Sequence, residues 1–187
     1  HLYTVEQSLS NSDILYAGAA TSGLWKSTNK GVNWVALFDQ ELLMNEVYSL
    51  EIDYSNSEVV FFSNSDKLYK TIDGGLSFEL MFEFDFIKDI VMHPTDNDIL
   101  FVCDESALYK IIISENSSET LLNGNFFEIE FHPNNPDVIY TVKESNNRTV
   151  FMKSINGGQD FLVYADSPWP NPSSPDEQRR TEIAVTP

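Results

Sequence analysis

The stretch Asp13-Ile14-Leu15-Tyr16, followed by a polar gap, then Gly23-Leu24-Trp25-Lys26 and the turn Ser27-Thr28-Asn29-Lys30-Gly31-Val32-Asn33-Trp34, sets a pattern that the rest of the chain repeats. An acidic residue opens an apolar run again at Glu58-Val59-Val60-Phe61, Asp98-Ile99-Leu100-Phe101 and Asp137-Val138-Ile139-Tyr140. These anchors recur at about 40 residues, a period that belongs to solenoids, propellers or arrays.

Each repeat reads as four short strands. The run before each anchor closes in a turn rich in Pro, Asn and Asp, residues that preset or tolerate turn dihedrals. Examples are Val91-Met92-His93-Pro94-Thr95-Asp96-Asn97 and Ile129-Glu130-Phe131-His132-Pro133-Asn134-Asn135-Pro136. His93 and His132 hold the same repeat position ahead of proline and read as turn residues, not as a ligand pair. A third strand follows the anchor at Leu24-Trp25-Lys26, Leu68-Tyr69-Lys70, Leu108-Tyr109-Lys110 and Phe151-Met152-Lys153, and a fourth follows the turn, as at Phe78-Glu79-Leu80-Met81-Phe82. β-Branched and aromatic residues dominate, and no segment sustains a helical period. Four strands per unit describe a propeller blade.

The expected fold is therefore an all-β propeller of four-stranded antiparallel blades over residues 1–187. Blades fall at about 1–40, 46–82, 86–124 and 126–165, with a Pro-rich inter-blade loop at 166–180. The first strand of a fifth blade starts at 181–187, which implies part of a larger propeller and further blades or domains of the same longer chain.

Three turns align as Ser27-x-Asn29-x-Gly31 with Trp34, Thr71-x-Asp73-x-Gly75 with Phe78, and Ser154-x-Asn156-x-Gly158 with Phe161. A short carboxylate or amide accepts backbone N–H groups across such a turn, glycine supplies positive φ, and the aromatic packs the corner. The motif resembles the Asp-box, or bacterial-neuraminidase repeat, of sialidases, xyloglucanases, sortilin-like receptors and photosystem II assembly factors. The turn His132-Pro133-Asn134-Asn135-Pro136-Asp137, combined with Gly23-Leu24-Trp25-Lys26-Ser27, most resembles the sortilin-like, large multi-blade propellers of secreted bacterial surface proteins. The resemblance implies a propeller and leaves function open. Asn29 and Asn156 stand where the pattern prefers Asp, and the third unit, Ile111-Ile112-Ile113-Ser114-Glu115, has lost the box. Its corner is expected to be looser or differently bonded. The oxygens of the three boxes read as structural acceptors, with neither a metal nor a cofactor expected.

Twenty-nine acids against eleven bases give a formal charge of -18, which repels phosphate backbones and anionic membrane surfaces. Nucleic acid is excluded as a partner, and no apolar run is long enough for membrane insertion. The lone Cys103, inside an apolar run, reads as a buried hydrophobe. The expected location is secreted or cell surface, with no signal in this segment.

Ligand contacts are expected on the face opposite the boxes, from the loops joining second to third strands and from the blade links. Asp104, Glu105 and Glu144 lie in those loops. In the longest link Trp169 sits between Pro168 and Pro170, a held aromatic platform for a sugar ring or peptide, and Arg179 and Arg180 can pair with a ligand carboxylate. A sialidase grips its substrate with three arginines. Arg148, Arg179 and Arg180 are the only ones here and two are adjacent, so that trio is not available. The reading is a non-catalytic propeller segment that binds a protein or carbohydrate ligand, or serves as a structural module. Part of a xyloglucanase-like glycoside hydrolase and an assembly factor docking on a partner complex stand as alternatives.

Overall fold

The computed structural model describes residues 1–37, 46–145, 148–163 and 183–186. Every element assigned among them is a β-strand. The first antiparallel sheet runs β1 (Leu2–Gln7), β2 (Leu15–Ala19), β3 (Gly23–Ser27), β4 (Val35–Leu37), and the second β5 (Leu50–Ile52), β6 (Val60–Asn64), β7 (Lys67–Thr71), β8 (Glu79–Glu83). The third holds β9 (Asp89–Met92), β10 (Ile99–Cys103), β11 (Ala107–Ile112) and β12 (Ser117–Asn123). The fourth holds β13 (Phe126–His132), β14 (Asn135–Ser145), β15 (Arg148–Ser154) and β16 (Leu162–Val163). In each sheet the strands lie in chain order, a meander needing only hairpin connections. Residues 183–186, where the start of a fifth blade is expected, form no ladder; Ile183 N–H donates to Glu128 at 2.5 Å.

The turn before each anchor is built the same way four times. Asn11, Asn56, Asp96 and Asn135 each accept, at 3.1 Å, the N–H of the anchor acid two residues on. Ser8, Asp53, His93 and His132 share the next position inward, and each accepts a backbone N–H across the turn through its side chain. The two histidines thus act as Asx-like turn acceptors. The anchor's carbonyl then ties the far corner of the sheet: Asp13, Glu58, Asp98 and Asp137 accept from Lys30, Gly74, Ile113 and Gly157 at 2.8–3.0 Å.

The chain divides into two compact units, residues 1–92 and 93–187. In the first, one apolar cluster joins Ile14, Tyr16 and Leu24 of the first sheet to Leu50, Ile52, Val60, Phe62 and Tyr69 of the second, with Leu37 and Phe78 packed at its margin. Polar groups fasten the same seam. Tyr16 OH donates to Ser57 O at 3.1 Å, and Lys26 Nζ reaches Glu58 at 2.9 Å and Gly74 O at 3.4 Å. Lys26 is 14% exposed and also lies over the Tyr16 ring, so the cation is held from two sides. In the second unit, Phe101 meets Phe131 edge-on at 5.3 Å, and Phe131 also meets His93.

Candidate functional site

The three corners expected to be boxes are tied by a common set of bonds. Ser27, Thr71 and Ser154 are each 1% exposed, and their hydroxyls accept the N–H of Gly31, Gly75 and Gly158 at 2.9–3.0 Å. The same hydroxyls donate to Asn29, Asp73 and Asn156, which in turn accept the N–H of Asn33, Ser77 and Asp160. Trp34 Nε1–H closes its corner on Gly31 O at 3.0 Å. Asp73 takes two further donors, Leu76 N–H and Ser77 Oγ, and the Ser77 bonds hold its carboxyl down at about 2. Asp73→Ala is therefore expected to lower the thermal midpoint at neutral pH, because the depressed acid stabilises the folded state above its ordinary value of 3.8. That contribution fades as pH falls through about 2, so wild type and variant should converge there in thermal melts.

The third corner is differently bonded. Asp98 itself accepts Ser114 N–H at 2.7 Å and Ser114 Oγ–H at 2.6 Å, and Asn116 takes the left-handed turn position at φ 48°. The anchor acid supplies what the missing box residue does elsewhere.

At the opposite end of the sheets, where the inner strands begin, three half-buried aromatics meet. Tyr3 opens β1, Tyr48 precedes β5 and Phe86 precedes β9. Tyr3 and Tyr48 stack at 4.1 Å between centroids, and Phe86 meets Tyr48 edge-on at 4.5 Å. The Tyr3 hydroxyl, hydrogen-bonded to that of Tyr48, pushes the latter up to about 12, with burial second. These rings were not singled out from sequence. The available signal is that Tyr3 and Tyr48 each stand three residues before a glutamate of the inner strand, Glu6 and Glu51.

Those glutamates form a second constellation. Glu6 Oε2 accepts Ile52 N–H at 3.0 Å, and the Glu51 carboxyl accepts Met92 N–H and is hydrogen-bonded to Glu6. Each carboxyl thus reaches from its own inner strand to the backbone of the next. Burial, then the charge of Asp89, pushes Glu6 up to about 7 against the pull of the Ile52 N–H. Burial, then Glu6, holds Glu51 well above the usual carboxylate range. Asp89 is itself occupied: Ser49 Oγ–H and Ile90 N–H donate to its Oδ1 at 3.2 and 3.0 Å. Two acids in contact, each raised, disfavour being ionised together.

The loop candidates sit as follows. Asp104 is fully buried, and its carboxylate accepts Ser106 N–H, Ala107 N–H, Ser106 Oγ–H and Tyr109 OH. It holds the β10–β11 turn shut. Glu144 accepts Asn125 Nδ2–H at 2.9 Å, tying β14 to the residue ahead of β13. Glu105 is exposed in the same turn as Asp104. These three belong to the second unit and the aromatic stack to the first. Trp169, Arg179 and Arg180 lie outside the described residues. Among the described residues no group of three His, Cys, Asp or Glu is arranged to hold a metal ion, and no helix is long and apolar enough to cross a membrane. Cys103 is buried in β10.

No protein-family model matches the chain, and no curated protein matches it. Solved structures do. The GH74 enzyme of Niastella koreensis superposes with a TM-score of 0.71 at 21% identity, over 85% of this chain and 28% of its own. The GH74 xyloglucanase of Xanthomonas campestris gives 0.71 at 13% identity, over 87% and 29%. YCF48 from Cyanidioschyzon merolae gives 0.64 at 12% identity, over 89% and 56%. At these identities the likeness concerns the fold. Four consecutive four-stranded antiparallel meanders, together with these likenesses, make the chain a β-propeller repeat protein. It spans less than a third of the two GH74 enzymes and about half of YCF48, a partial propeller relative to each.

Proposed function

We propose that the chain is a non-catalytic segment of a longer secreted or cell-surface β-propeller protein. In this reading the link end of its blades binds a protein or glycan ligand, while corners of the Asp-box kind hold the other end rigid. The observation that carries it is the stack of Tyr3, Tyr48 and Phe86, contributed by the starts of three successive inner strands. Such rings offer an apolar face and, in the tyrosines, a polar edge, the combination that suits sugar rings and peptide side chains. Building the platform from separate blades fixes its geometry without a mobile loop.

The second reading, a part of a xyloglucanase-like glycoside hydrolase, draws on the likeness to GH74 enzymes. Hydrolysis of a glycosidic bond needs two carboxyls across a cleft, ~5 to 10 Å apart. Glu6 and Glu51 touch each other, and Asp104 is spent on its turn. An oligosaccharide and peptide binding screen, paired with a xyloglucan hydrolysis assay on the longest available polypeptide, separates the readings. Binding without turnover, weakened about tenfold or more by Tyr48→Ala, is the expected result. Turnover that disappears in Glu51→Gln or Glu144→Gln, with binding to Tyr48→Ala unchanged, overturns it. An assembly role would show as a co-purifying partner lost when Arg179 and Arg180 both become Glu.

A further inference from the structure

The contact between the first two blades is a template for what the first blade's other face should meet. The second blade turns Leu50, Phe62 and Tyr69 toward the first, and they are 4%, 0% and 8% exposed. Counting from the anchor acids, the counterparts of Leu50 and Phe62 in the first blade are Val5 and Ala17, and that of Tyr69 is Trp25, which pairs with Ala17 as Tyr69 pairs with Phe62. Val5 is 53% exposed, its neighbour Leu2 is 61% exposed, and with Ala17, Ala19, Trp25 and Trp34 they line an open apolar groove of about 410 Å³.

Three further positions point the same way. Gly75 and Gly158 face the fourth-strand leucine of the blade before: a Cβ there would lie 2.4 Å from Leu37 Cδ1 and 3.1 Å from Leu121 Cδ1. At Gly31 a Cβ would meet, among the described residues, only its own corner's Trp34, at 3.7 Å. Glu58 takes Lys26 from the first blade, whereas among the described residues the equivalent Asp13 makes only an exposed pair with Lys30 at 3.4 Å. Ser57 O receives the Tyr16 hydroxyl, whereas the equivalent Ser12 O receives Gln7 Nε2 from its own blade.

We infer that this face of the first blade seats a further blade of the same repeat, supplied by the same polypeptide, which presents an aromatic on its second strand to Ser12, a lysine on its third to Asp13, and a leucine-sized side chain on its fourth over Gly31. The set is one the repeat is known to make: Tyr16 with Lys26 in the first blade recurs as Tyr140 with Lys153 in the fourth, the ammonium 5.3 Å from the ring centre. Ala17 stands where the second blade has Phe62, so the incoming second strand must also fill the groove with a bulkier neighbour. The inference rests on the reading of the chain as a segment of a longer propeller, but not on whether that propeller is catalytic.

The test is Val5→Arg, made both in the 187-residue chain and in the longer polypeptide that contains it. Val5 lies on the open side of β1, so the 187-residue chain should keep its melting temperature to within about 1 °C. In the longer polypeptide the midpoint should fall by several degrees, roughly 4 °C or more, and acrylamide quenching of Trp25 and Trp34 should rise toward that of the short chain. Asp13→Ala, which leaves the groove intact, should act only in the longer polypeptide as well. Equal effects of both substitutions in the two proteins would overturn the inference. So would a short chain that sediments as a dimer and is dissociated by Val5→Arg, since the occupant is then a second copy. Xyloglucan hydrolysis by the longer polypeptide would sink the non-catalytic reading and leave these outcomes as they are.

Discussion

Replacing Glu6 by Gln raises stability at neutral and alkaline pH by on the order of 2 kcal/mol and flattens the dependence of stability on pH between 4.5 and 7. An acid whose folded value is raised binds its proton more tightly in the folded state than in the unfolded chain. Below 4.5 both states are protonated and nothing is lost. As pH climbs from there to about 7 the unfolded chain ionises first, so the folded state is progressively disfavoured, and above about 7 the full penalty stands. The whole shift corresponds to ~3 kcal/mol at 1.36 kcal/mol per unit; residual solvent contact and the coupling to Glu51 reduce it. Glutamine keeps an oxygen for the Ile52 N–H and can donate to Glu51, so the bridge between inner strands survives without the charge. Denaturant titrations of wild type and variant at several pH values test this. A variant that loses stability in parallel with wild type as pH rises would show that the pair is not where the protons are released.

In the 187-residue chain Gly75→Ala is expected to cost about 3 kcal/mol, and Gly31→Ala about 1 kcal/mol, although both glycines hold the same box position. Both sit at positive φ, 93° and 81°, so each alanine pays for a left-handed backbone. The difference comes from across the seam. The new methyl at 75 would fall 2.4 Å from Leu37 Cδ1, whereas that at 31 finds no neighbour closer than 3.7 Å. Chemical denaturation of the two variants measures the contrast directly. Combining Gly75→Ala with Leu37→Ala should recover part of the loss as a coupling of about 1 kcal/mol. Equal costs at the two glycines would mean that the backbone conformation alone sets the requirement.

Much of this architecture was legible as repetition. The anchors, the Lys of each third strand and the box residues mark four meanders because strand alternation and turn chemistry are local properties. The histidines were also readable: His93 and His132 occupy the slot that Ser8 and Asp53 fill elsewhere, and an acceptor at that slot is what the turn needs. Contacts between sheets were harder. Nothing local to Glu6 says that its carboxyl reaches Ile52 or meets that of Glu51, although both lie seven residues ahead of an anchor acid. Asp104 looked like a free loop acid because sequence shows a carboxylate and not the four donors that turn it inward. The aromatic stack escaped notice because Phe86 stands out of register with Tyr3 and Tyr48, so aligning repeats hides what the fold brings together.

The direction of the fastenings between the first two sheets bears on how the chain is made. Tyr16 and Lys26 donate forward to Ser57, Glu58 and Gly74, and Leu37 packs forward onto Gly75. A chain leaves the ribosome amino end first, so the first sheet is complete while the second is still emerging. The second sheet therefore meets a finished template, and its sticky side, Leu50, Phe62 and Tyr69, is covered as it forms. At this seam the second sheet exposes its apolar side only until it reaches the first. Docking in this order keeps the second sheet's aggregation-prone side from standing open while the rest of the chain is made.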